Sequence, residues 1–136
     1  MNRSARVIRF CSLWLPVAAW CGLIFFLSGI PNLKTELGLW DFILRKCAHM
    51  TEYAILYFLL HRSLRGSFPG VSVQLTSVCS LLLTIAYAAS DEYHQSFVPT
   101  RGPSVIDVGI DSVGALCALS VQSYFGNRKV VARENV

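Results

Sequence analysis

The sequence predicts an all-α integral membrane bundle of about four transmembrane helices, forming one domain over residues 1–136. Three observations predict it. Hydrophobic residues make up 54% of the chain and charged residues 15%, whereas a soluble domain carries about 25% charged residues. The apolar residues fall into long runs rather than the short alternations of strands. The runs are separated by segments rich in proline and glycine, which punctuate turns.

The first run covers about residues 10–30, FCSLWLPVAAWCGLIFFLSGI, and carries no charge. A span of the ~30 Å hydrocarbon core needs about 20 such residues. Arg3, Arg6 and Arg9 precede it, so a secretory leader is the rival reading. The run is too long for an ordinary leader core and no A-x-A site follows it, which favours a retained span. The second run, about 44–61, opens polar (LRKCAHMTEY) and closes apolar, as suits a short span whose end lines a cavity. The third covers about 71–90 and the fourth about 104–124. The connections are then 31–43, 62–70 and 91–103; the second holds Gly66, Pro69 and Gly70, and the third holds Pro99, Gly102 and Pro103.

Four crossings put the N-terminus, the 62–70 connection and the C-terminus on one side. That side carries eight of the twelve Lys and Arg: Arg3, Arg6, Arg9, Arg62, Arg65, Arg128, Lys129 and Arg133. Cationic residues beside spans face the cytoplasm, so both termini are expected there, in a multi-pass protein of the cell (cytoplasmic) membrane. The acids show the reverse bias: seven of eight, all but Glu134, lie toward the outer side. The net charge of +4 comes without an aromatic-studded basic run, so no nucleic-acid partner is expected; the lipid bilayer is. The five cysteines have no CxxC or zinc spacing and read as small hydrophobes.

Two segments concentrate the polarity. Residues 45–53 read RKCAHMTEY, and residues 90–101 read SDEYHQSFVPTR, followed by Asp107 and Asp111. All fall toward one end of the predicted bundle. Lys46, His49 and Tyr53 share a helical stripe, with Glu52 three residues from His49. Asp107 and Asp111 are four apart and share a face with Gly114 and Ala118, a small-xxx-small pair suited to close helix packing. Ionisable groups in hydrocarbon cost several kcal/mol each and persist when paired, hydrated or functional. Each has a plainer reading. Arg45 and Lys46 would serve as snorkelling anchors. Ser104 and Asp107 fit a capping box at the start of the fourth helix. His94 would be a loop histidine and His61 an ordinary residue at the cytoplasmic end. Glu52, about two turns into its span, and Asp111, one turn deeper than Asp107, have no such reading.

Taken together, K-x-x-H-x-x-E-Y at 46–53, S-D-E-x-H-Q-x-F-x-P-x-R at 90–101 and D-x-x-x-D-x-x-G at 107–114 resemble the VanZ-like family, over about residues 20–120. The resemblance implies a small multi-helix bacterial membrane protein. It also implies a relation to a founding member that accompanies glycopeptide resistance clusters and is linked to reduced teicoplanin sensitivity. Thr100, Asp111 and Ala118 stand where the family usually has Gly, Asn and Gly.

The ligand-binding candidates are Lys46, His49, Glu52, Tyr53, Asp91, Glu92, His94, Gln95, Arg101, Asp107 and Asp111. With His neutral, Arg45, Lys46 and Arg101 against Glu52, Asp91, Glu92, Asp107 and Asp111 sum to −2. Such a pocket suits a cation, shared protons or an amine-bearing ligand better than a bare phosphate. Three readings follow. In the first, the site binds a lipid-linked, isoprenoid-borne envelope precursor or a lipophilic glycopeptide at the outer leaflet. In the second, it is a membrane enzyme acting on a lipid-linked or phosphoester substrate. His49, Glu52, Asp91 and His94 would then be its catalytic candidates. A divalent metal cofactor would take ligands from His49, Glu52, Asp91, His94, Asp107 and Asp111. In the third, the charges form an ion-pair network that only locks the bundle.

Overall fold

The computed structural model describes residues 2–31, 38–99 and 104–134, side chains at 41, 42 and 127–134 excepted. It contains four helices: α1 (Arg3–Ser28), α2 (Leu39–Ser67), α3 (Val73–Gln95) and α4 (Val105–Glu134). Three of them, α1, α3 and α4, are long and apolar enough to cross a bilayer. Large hydrophobic side chains such as Phe26, Leu82 and Leu116 are exposed along them. An exposed apolar surface of this extent calls for an apolar solvent.

The helix α2 falls short of that apolarity because Arg45, Lys46, His49, Glu52, His61 and Arg62 interrupt its apolar residues. It packs against all three other helices, whereas α1 and α4 do not touch each other among the described residues. Tyr53, Leu56 and Leu60 of α2 form the core with Val17 and Ile24 of α1 and Ala88 of α3. A second cluster joins Tyr57 to Ala115 and Ala118 of α4. The small-residue face of α4 allows this approach. Gly114 lies so close to α2 that an added Cβ would overlap the Met50 backbone.

Each helix runs past its expected bounds, α2 at both ends and α1, α3 and α4 at one end while falling one or two residues short at the other. The correction that matters is α3, which continues through Gln95 rather than ending at residue 90. Nothing in SDEYHQ breaks a helix. The turn at Ser96–Val98 precedes Pro99, which disfavours helical geometry in the residue before it. Asp91, Glu92 and His94 therefore sit on a helix, not in a connection. Similarly, α2 begins at Leu39 after Gly38, whose φ of 55° is the left-handed region glycine tolerates.

Pro16 lies inside α1 and has no N–H to donate to the Ser12 carbonyl one turn back. Arg62 of α2 fills that vacancy, donating from Nη2 to the Ser12 oxygen at 2.5 Å. The Ser63 hydroxyl sits 2.7 Å from the next carbonyl, that of Leu13.

The cysteines form no disulfide. Three of them, Cys11, Cys47 and Cys117, lie exposed on helix surfaces rather than inside the bundle.

Candidate functional site

The site is built where α1 ends, α2 begins, α3 ends and α4 begins, at the end of the bundle opposite the chain termini. The stripe on α2 brings Lys46, His49 and Glu52 to this end. Lys46 Nζ reaches Asp107 Oδ1 of α4 at 2.5 Å. His49 Nδ1 lies 3.6 Å from Glu52 and 3.9 Å from Asp111. Both distances exceed a hydrogen bond, so the imidazole sits between two carboxylates at electrostatic range.

The end of α3 supplies Asp91, Glu92 and Gln95, all buried. Asp91 Oδ2 accepts from Ser28 Oγ at 2.6 Å and from Gln95 Nε2 at 2.9 Å. Glu92 Oε2 accepts the backbone N–H of Ser104 at 3.0 Å. This last contact revises the capping-box expectation. Ser104 does cap α4, its hydroxyl accepting from the Asp107 N–H at 3.3 Å. The reciprocal acceptor is Glu92 from the neighbouring helix, which leaves the Asp107 side chain for Lys46.

Asp111 is 2% exposed and shares its surroundings with Asp91, Glu92, Asp107 and Lys46. Tyr53 is fully buried, with Asp91 and Asp111 as the charged neighbours of its hydroxyl. Three buried atoms of this group, Tyr53 Oη, Asp91 Oδ1 and Asp111 Oδ2, lack a well-formed hydrogen bond among the described residues, the Tyr53 hydroxyl lying within reach of the Asp91 carboxylate. A buried polar atom left without a partner costs about 1–3 kcal/mol. Such atoms gathered in one place suit a site completed by water or by a ligand.

The predicted residues therefore mostly converge. Lys46, His49, Glu52, Tyr53, Asp91, Glu92, Gln95, Asp107 and Asp111 gather at one end of the bundle. His94 does not join them. Its ring stacks on Phe25 of α1 with centroids 3.8 Å apart, beside Gly29, so it braces α1 against α3. Arg101 lies outside the described residues. As for a metal, no three His, Cys, Asp or Glu among the described residues are arranged to share one ion. Asp107 faces Lys46, and His94 is turned to Phe25.

Two contributions escape sequence reasoning. Ser28 supplies the closest donor to Asp91, yet in the sequence it is one hydroxyl at the end of an apolar run. The only signal was its place at the same end as the polar segments. Elsewhere, His61 is more than an end residue. Its Nε2 lies 3.0 Å from Gln122 Nε2, and Gln122 Oε1 accepts from the Tyr57 hydroxyl at 2.7 Å. This polar group ties α2 to α4 away from the acids.

A search of curated proteins and a search of solved structures both find no match. The model of the VanZ/LLP1 family, in contrast, matches residues 9–126. That stretch holds α1 nearly whole, α2, α3, the carboxylate-lined end and the apolar part of α4, and the chain is a member of the VanZ/LLP1 family.

Proposed function

We propose that this VanZ-family membrane protein binds the polar head of a lipid-linked envelope intermediate, or of a lipophilic glycopeptide, in the carboxylate-lined end of its bundle. The arginine-bearing end would face the cytoplasm, as the distribution of Lys and Arg favours. The site would then open on the outer side of the cytoplasmic membrane. The observation that carries the reading is the cluster of buried atoms short of well-formed hydrogen bonds, Tyr53 Oη, Asp91 Oδ1 and Asp111 Oδ2. Two are carboxylate oxygens, so the ligand must bring donors. Sugar hydroxyls and amines do so, and both ligand classes carry them on an apolar anchor that the bilayer would hold. Lys46 is engaged by Asp107, so acceptor capacity, rather than that lysine's charge, is the feature on offer among the described residues. Capture of a glycopeptide at this place would contribute to reduced teicoplanin sensitivity.

A photo-reactive residue at position 52 tests the reading. Glu52 is about one-fifth exposed at its side chain, so the probe would sit at the mouth. Crosslinking in membranes should yield adducts with isoprenoid-linked precursors or with added teicoplanin, and Asp111→Asn should weaken them about tenfold, by loss of a charge-assisted hydrogen bond. A folded protein that gives neither adduct overturns it.

The position of His49 between Glu52 and Asp111 supports a second reading, acid–base catalysis on a lipid-linked or phosphoester substrate. Conversion of a bound precursor by the purified chain, abolished by His49→Gln, would favour that reading over binding alone. If Glu52→Gln instead unfolds the protein, the charges act as a structural network.

A further inference from the structure

At the end of the bundle opposite the carboxylates, α1 and the α2–α3 turn border an open cavity of about 290 Å³. Arg6 and Arg9 line it from one face of α1, with Phe10 and Leu13 below them and Ser67 and Pro69 across. Arg9 Nη2 donates to the Gly66 carbonyl at 3.0 Å. That bond holds the guanidinium over the cavity and leaves most of its five N–H groups unused. Ser67 Oγ accepts the indole N–H of Trp14 at 2.9 Å, so its own hydroxyl hydrogen remains to be donated.

Among the described residues no acidic side chain pairs with this charge. Arg62 and Arg65 stand nearby, bonded to the backbone carbonyls of Ser12 and Val71, and Arg3 precedes Arg6 by three residues. None of these five arginines makes an ion pair among the described residues. Depth matters too. Arg9 and Ser28 are 19 residues apart on α1, or about 28 Å at 1.5 Å per residue. The hydrocarbon core is about 30 Å thick. With the carboxylates at one headgroup layer, the arginines reach the other. A snorkelling arginine needs only headgroup water. It needs neither a cavity, nor a carbonyl fixing its guanidinium, nor a second oriented donor.

We propose that this cavity is a binding site for the phosphate group of an anionic phospholipid. The guanidinium groups of Arg6 and Arg9 and the hydroxyl of Ser67 would hold the phosphate oxygens, the geometry for which arginine forks are suited. One acyl chain would lie along Phe10. The inference does not depend on what the carboxylate end binds.

Native mass spectrometry of the full chain in detergent tests it, with dioleoyl-phosphatidylglycerol and dioleoyl-phosphatidylcholine as probes of identical acyl chains. The wild type should retain the phosphatidylglycerol about tenfold better or more. The Arg6→Gln/Arg9→Gln double variant should lose the preference. Arg6→Gln alone should reduce it severalfold; the Arg6 side chain makes no hydrogen bond among the described residues, so this variant keeps the fold if the double variant does not. Arg3→Gln should change little. Equal retention of the two lipids, or equal effects of Arg3→Gln and Arg6→Gln, overturns the proposal. Loss of lipid retention to millimolar inorganic phosphate would identify a soluble phosphate ligand and overturns the lipid assignment.

Discussion

Ser28 Oγ, at the last residue of α1, donates to Asp91 Oδ2 on α3 across 2.6 Å, and both residues are 2% exposed. The bond joins the first helix to a carboxylate that would otherwise rely on Gln95. Ser28→Ala should therefore lower stability by about 1–3 kcal/mol, the worth of one hydrogen bond to a buried carboxylate that keeps Gln95 as its other donor. Unfolding in mixed micelles would measure it. An unchanged midpoint would show that Asp91 finds another donor.

Two glycines of α4 make a matched pair. A Cβ at Gly114 would overlap the Met50 backbone, whereas one at Gly109 meets nothing within 4 Å. Gly114→Ala should push α4 off α2 and destabilise by about 1–3 kcal/mol, as overpacking does. Gly109→Ala should be neutral or slightly stabilising, because alanine is the better helix former. Thermal melts in detergent would compare them; equal effects would refute the close approach.

The Lys46–Asp107 pair, with side chains 22% and 32% exposed, is neither fully buried nor freely solvated. A double-mutant cycle with Lys46→Met and Asp107→Asn should give a coupling of about 1 kcal/mol, at the upper end for accessible pairs. Additive losses would mean that the two charges act separately.

Orientation is open to direct labelling. In a cysteine-free background, Ser96→Cys and Gly70→Cys place thiols at exposed positions at opposite ends of α3. A membrane-impermeant maleimide added to whole cells should label position 96 and spare position 70. The reverse pattern would place the carboxylates on the cytoplasmic side.

Much of this architecture is legible in the chain itself, for physical reasons. Apolar runs of spanning length have few alternatives to helix, and ionisable residues within them must find one another. Hence Glu52, Asp91 and Asp111, far apart in sequence, meet at one end. What escapes is whatever depends on neighbours. The continuation of α3 past Ser90 hinges on Pro99 being the first residue to stop it. Glu92 takes the Ser104 N–H that Asp107 was expected to take, because helix packing brings a second carboxylate closer than the local one. His94 matches the polar segment by spacing, yet the C-terminal end of α1 draws its ring onto Phe25. Ser28 shows the opposite failure, a residue with no local signal given a partner by packing.

The proline of α1 carries a consequence for biogenesis. Alone in the bilayer, this helix would present a bare Ser12 carbonyl to hydrocarbon, where no solvent can satisfy it. Its remedy, the guanidinium of Arg62, emerges 46 residues after Pro16 in the chain. The first helix is thus incomplete until the second has been threaded beside it. The two should mature as a hairpin, with the newborn α1 shielded by the insertion machinery in the interval.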